Sequence, residues 1–147
     1  FLARRDHSVV ELTTKLLAKG HLSEDVERVI QELQTLDYLD DGRYAHMMVR
    51  HHYARGQGPQ KIKHTLKQNG VSHEVISDAF FAFEGDWFQS ALDVRQKRFG
   101  EGYLSTDQHE QFKEKSKQMR FLMTRGFEHE QVQYAVESLG RTGCIDS

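Results

Sequence analysis

The chain has 147 residues, nine histidines, one cysteine, one proline and a formal net charge of −2. A mean hydropathy of −0.70, with no stretch near the roughly 20 apolar residues that a bilayer-crossing helix needs, excludes a membrane span. The lone Cys144 excludes an internal disulfide and a multi-thiolate metal site.

The length allows one domain or a few small modules. A hydrophobic share of 37% is low for a compact sphere and suits an elongated body with a large surface. A single free cysteine fits a reducing cytosol, so a cytoplasmic location is expected. The opening "FLARRDHS" has neither a methionine nor a signal peptide's apolar core. Residues before Phe1 are therefore expected.

Taken in chain order, Ser8 and Glu11 match a Ser-x-x-Glu capping box and open a first helix. Gly20 ends it, and a second helix follows with Ser23 as its cap and Val26, Val29 and Ile30 as its inner stripe. Asp40 or Asp41 caps a third helix running to about Arg55, with Tyr44, Met48 and His51 or His52 on its inner stripe and Ala45 and Val49 alongside. The stretch "RGQGPQKIKHTLKQNG" (55–70) then raises the possibility of a phosphate-cradling loop. A P-loop needs Gly-x-x-x-x-Gly-Lys-Ser/Thr between a buried strand and a helix. No strand and no Ser/Thr after the lysine are present, so the stretch reads as punctuation. Gly56 stops one helix, Gly58 links, and Pro59 opens the next, where its missing N–H is harmless. The N-terminus of that fourth helix remains able to meet an external phosphate.

Gly70 ends the fourth helix, and Ser72 caps a fifth carrying Ile76, Ala79 and Phe80. Asp86 caps a sixth to about Phe99, with Phe88, Leu92 and Phe99 as apolar positions. A seventh spans roughly 106–124 before Gly126, and the eighth ends near Leu139, leaving "GRTGCIDS" as a frayed tail.

Three of these turns are copies of one pattern. Relative to Gly20, Gly70 and Gly126, leucine stands four residues before (Leu16, Leu66, Leu122) and glutamate four after (Glu24, Glu74, Glu130). Apolar residues follow at six, nine and ten. The glycine supplies the left-handed conformation that ends a helix, and the later apolar positions form one stripe of the next. The expected fold is all-α, three tandem three-helix repeats (1–56, 57–100 and 101–147) packed neighbour on neighbour into an elongated, curved array.

Charge is segregated along the chain. From Ser23 to Asp41 there are seven acids against one base, whereas from Arg43 to His73 there is no acid at all. That second span carries Arg43, Arg50, Arg55, Lys61, Lys63 and Lys67 with five of the nine histidines. A group at Arg95, Lys97 and Arg98 follows, then a more mixed one around Lys113 to Arg125. Same-sign clustering costs repulsion, which a face for polyanion or for acidic protein explains. Tyr53 is placed to stack on nucleotides, while Tyr44 reads as core. No esterase elbow, His-Glu-x-x-His or paired cysteines occur. Adjacent His51 and His52 diverge by about 100° on a helix and cannot share one ion unaided. The reading is a non-enzyme with no catalytic residues, cofactor or metal.

The residues also resemble a known family. "RDHSVVEL" (5–12), "YLDDGRY" (38–44), "GQGPQKI" (56–62) and "FLMTRGF" (121–127) are similar to motifs of the RecX family, bacterial regulators of the recombinase RecA, over nearly the whole chain. The resemblance implies three tandem three-helix repeats. It also implies binding to the RecA filament on single-stranded DNA and dampening of ATP hydrolysis, strand exchange and co-protease activity. A place in homologous recombination, DNA repair and the SOS response follows, with weak affinity for single- or double-stranded DNA, no membrane and a monomeric chain. Its motif residues are read as structural. Candidate contacts are the basic positions Arg43, Arg50, Arg55, Lys61, Lys63, Lys67, Arg95 and Arg98. The alternative is an independent DNA-binding helical protein of helix-turn-helix type.

Overall fold

The computed structural model describes residues 5–100 and 107–145, with side chains to residue 137 in the last helix. Eight helices and no strand occur among the described residues. They are α1 (Val9–Ala18), α2 (Ser23–Thr35), α3 (Asp41–Ala54), α4 (Pro59–Gln68), α5 (His73–Ala82), α6 (Trp87–Phe99), α7 (Gln108–Thr124) and α8 (His129–Ile145). They form two compact units, one of residues 1–51 with 63–83 and one of 52–62 with 84–147.

The repeated glycines occupy equivalent bends, with φ of 91° at Gly20, 79° at Gly70 and 97° at Gly126. In each, the glycine N–H bonds to the carbonyl three residues back, on Leu17, Lys67 or Met123. The next N–H reaches the carbonyl of the repeat leucine: His21 to Leu16 at 3.4 Å, Val71 to Leu66 at 3.0 Å and Phe127 to Leu122 at 3.2 Å. This paired closure is the Schellman motif, and it satisfies carbonyls that a helix end would otherwise leave bare. The leucine spacing is thus fixed by main-chain bonding as well as by packing. Gly56 (φ 77°) repeats it, with Gln57 N–H on the His52 carbonyl at 3.0 Å.

Two of these turns also accept the start of another helix. In the first unit, the Ser8 hydroxyl at the head of α1 donates to the Asn69 carbonyl at 2.7 Å, and a Cβ on Gly70 would collide with Val10. In the second unit, the N–H groups of Gly58 and Gln60 at the head of α4 donate to the carbonyls of Arg125 and Gly126, both at 2.8 Å. A Cβ on Gly58 would collide with the backbone of Gly126 and Phe127. The Gly58 and Gln60 N–H groups at the head of α4 are therefore spent inside the protein. The expected capacity of that helix N-terminus to meet an external phosphate is corrected, and Gly58 is a close-packing residue rather than a plain linker. The Gly20 turn has open space around it.

The core of the first unit gathers Leu12, Val26, Ile30 and Leu39, with Val9, Leu16 and Leu33 packed against them. Tyr44, Ala45, Met48, Val49, Leu66, Ile76 and Ala79 are also buried there. The second unit is centred on Ala91, Leu122, Phe127, Val132, Ala135 and Val136. Full burial of a side chain such as Leu66 or Leu122 stabilises by about 1.5–3 kcal/mol.

Ser8, Ser72 and Asp86 cap helices as the spacing predicts. Asp40, not Asp41, caps α3 by accepting from the Arg43 N–H at 3.2 Å. Asp41 instead accepts from the Val9 N–H at 2.8 Å, tying α3 to the start of α1. Ser23 lies inside α2, whose N-cap is Leu22 without a side-chain bond. Val29 stays 40% exposed and so leaves the expected stripe. The final helix continues through Gly140 and Gly143 to Ile145 rather than ending near Leu139. A helical glycine costs only about 1 kcal/mol against alanine, and no proline intervenes.

His7, in the first unit, is buried. Its Nδ1 donates to the Arg5 carbonyl at 3.1 Å and its Nε2 accepts from the Lys15 ammonium at 2.9 Å, so the ring is neutral. Burial, then the Arg5 and Lys15 charges, hold its pKa below 6.5 despite the Arg5 carbonyl and Glu11. The unfolded chain therefore binds more protons below pH 6.5, and stability falls as pH drops through that value towards the folded pKa. Melting temperature measured between pH 8 and 5 is expected to show this loss, and His7→Gln is expected to flatten it. An unchanged profile in the variant would contradict the assignment.

Candidate interaction surface

The eight expected contact positions divide equally between the two units. In the first, Arg43 is committed internally. Its Nε pairs with Asp6 at 2.8 Å, and its terminal nitrogens donate to the carbonyls of Asp37 (2.8 Å) and Tyr38 (3.0 Å). It locks the link before α3, whose Asp37 has a strained φ of 62°. Lys63 is half-buried, with its ammonium 5.0 Å from the centre of the Phe80 ring. Arg50 on α3 and Lys67 on α4 are exposed.

In the second unit Arg55, Lys61 and Arg98 are exposed. Arg95 is not: it is fully buried, and its Nε donates to Gln118 Oε1 at 2.7 Å. The expectation of Arg95 as a surface contact is therefore corrected. Its side chain links α6 to α7 inside the unit, and Gln118 in turn donates to Glu114 at 3.3 Å. This bond offsets part of the cost of burying a cation.

The second unit also holds a cleft of about 630 Å³ formed by the end of α3, the face of α6 and the end of α7. Arg55, Lys97, Arg98 and Arg125 line it with Tyr53 and Phe121, and among the described residues Asp93 is the one acidic lining residue. The guanidinium carbons of Arg98 and Arg125 both stand 5.7 Å from the Phe121 ring centre. Phe121 meets Phe99 edge to face at 5.4 Å. Tyr53 is fixed by Trp87, edge to face at 5.1 Å, and its hydroxyl both accepts from the Asp86 N–H and donates to the Asp86 carbonyl. Gly56 keeps the floor open, because a Cβ there would press on Val94 2.9 Å away. Among the described residues no group of three or more His, Cys, Asp or Glu gathers as a metal site.

Comparison with known families decides what kind of chain this is. Models of the RecX first, second and third three-helix domains match residues 1–33, 40–79 and 84–136. The chain belongs to the RecX family. Regulatory protein RecX of Vibrio vulnificus is 41% identical over 135 residues, which cover 92% of this chain and 85% of that relative. Regulatory protein RecX of Halorhodospira halophila is 40% identical over 134 residues, covering 91% and 80%. The crystal structure of RecX from Lactobacillus salivarius shares the fold with a TM-score of 0.74 at 19% identity, over 95% of this chain and 89% of that one. A second RecX crystal structure gives 0.76 at 22% identity, over 93% and 67%. In the RecX frame the second domain holds α3–α5 and the third α6–α8. A glycine turn then joins the last two helices of each of these domains.

The RecX fold brings Arg55 and Arg98 into one cleft with Lys97 and Arg125. Sequence reading named the last two only as parts of basic groups. Their signal was the spacing of Phe121 and Arg125, four residues apart and so on one helical face, within the "FLMTRGF" motif.

Proposed function

We propose that this chain is a regulatory protein that binds the RecA nucleoprotein filament and lowers its ATPase, strand-exchange and co-protease activities without chemistry of its own. Membership of the RecX family, whose relatives are named regulatory proteins, carries the reading. Exposed cations support it: Arg50 and Lys67 in the first unit, and Arg55, Lys61 and Arg98 in the second. They suit the acidic side chains of a protein filament or the phosphates of its DNA. Contacts that span neighbouring protomers would stiffen the filament and hinder the motions that accompany turnover.

The test is a RecA ATPase assay on single-stranded DNA with this chain added. Wild type is expected to inhibit. Arg50→Glu combined with Lys67→Glu is expected to need about tenfold more protein for half-inhibition, equivalent to about 1.4 kcal/mol. Both residues are exposed, so helical content by circular dichroism is expected to stay the same. Inhibition undiminished in the double variant would remove Arg50 and Lys67 from the interface, and no inhibition by wild type would overturn the reading.

A further inference from the structure

The cleft of the second unit concentrates like charge. Its floor lies over an apolar core that includes Ala91 and Leu122. Yet four cations line it, and two guanidinium groups share one aromatic ring. Among the described lining residues the single carboxylate, that of Asp93, already accepts from the Gln89 side chain at 2.8 Å. Among the described residues no carboxylate lies within ion-pair distance of Lys97, Arg98 or Arg125. The Arg125 Nε is buried and has no hydrogen-bond partner there. A buried donor left unsatisfied costs about 1–3 kcal/mol, and more on a charged group. An anion seated in the cleft would remove both costs.

We propose that this cleft binds a phosphate group carried by a nucleotide. Guanidinium forks match the tetrahedral oxygens of phosphate in bidentate geometry, and several cations around one seat suit its charge density better than that of a lone carboxylate. The cavity has the size that encloses a nucleotide-sized ligand rather than one acidic side chain. Tyr53, pinned by Trp87 and the Asp86 backbone, lines the same space and offers a ring for the attached base. Arg125 and Arg98 hold the phosphate from one side, with Lys97 and Arg55 completing the charge.

The inference deepens the regulatory reading and rests on it only for the physiological source of the phosphate. The test therefore uses this chain alone, so that loss of phosphate binding and loss of RecA inhibition are separate results. Trp87 is the single tryptophan and touches Tyr53, so its fluorescence reports on the cleft. The probes are inorganic phosphate, ADP, ATP, a short oligothymidylate and poly-glutamate.

A saturable change with phosphate-bearing probes is expected, weakened about tenfold by Arg125→Gln and several-fold by the milder surface change Lys97→Gln. A thermal melt of each variant verifies folding. Saturation by ADP or ATP alone assigns a free nucleotide as the source, and saturation by the oligonucleotide alone assigns the nucleic-acid backbone. Either supports the site. No saturable response to any phosphate probe would overturn it. So would binding undiminished in both folded variants, or a response confined to poly-glutamate.

Discussion

Gly126→Ala is expected to lower folding stability by about 3 kcal/mol, seen as a fall in the urea midpoint. Two costs combine there. The glycine has φ 97°, and a side chain in the left-handed region costs about 1–2 kcal/mol. A Cβ would also collide with Lys61, both with its Cβ and with its backbone, and such overpacking adds about 1–3 kcal/mol. Backbone cannot step aside as a flexible side chain can. Moving it would break the bonds from Gly58 and Gln60 to the Arg125 and Gly126 carbonyls. Gly20→Ala separates the two costs: its φ is 91° but nothing lies within 4 Å of the added atom, so about 1–2 kcal/mol is expected. Equal losses in the two variants would refute the docking of α4 on the Gly126 turn.

Arg95→Ala is expected to cost about 2–4 kcal/mol, by leaving a cavity and stripping Gln118 of its donor in a buried setting. Arg95→Met keeps most of the volume but still orphans Gln118. Adding Gln118→Leu to it removes the orphan and is expected to recover most of the loss, since replacing both partners of a buried polar pair is often near neutral. Under the proposed function, variants that fold are expected to match wild type in the RecA assay, because the side chain has no exposed surface. A folded Arg95→Met/Gln118→Leu protein that no longer inhibits would return this residue to the interface.

Local chemistry explains what the sequence made readable. A glycine with leucine four residues earlier encodes a closure between neighbours in the chain, so Gly20, Gly70 and Gly126 could be aligned on sight. Caps at Ser8, Ser72 and Asp86 act within three residues and were equally accessible. Ser23 was misplaced because α2 begins one residue earlier than its serine suggests; Val29 lies at the edge of the stripe that Val26 and Ile30 bury. Arg95 was misread because charge normally marks a surface. The overlooked sign was Ala91 one turn before it, a small buried residue on the same face. The cleft draws on segments near residues 55, 95 and 123, and no local pattern joins stretches so far apart. The use of the α4 donors was hidden for a similar reason: the acceptors are main-chain carbonyls more than sixty residues away.

That last contact has a consequence for how such a chain can vary. The joint at Arg125–Gly126 is made of peptide groups on both sides, which substitution leaves untouched, whereas that at Asn69 needs the Ser8 hydroxyl; other exterior side chains are free to drift. Length is another matter. One residue added or removed between Gly56 and Ile62 would carry the peptide donors off their targets, whereas the open bend at Gly20 can absorb an insertion. Gaps among relatives should therefore gather at the first bend and avoid the segment around Pro59.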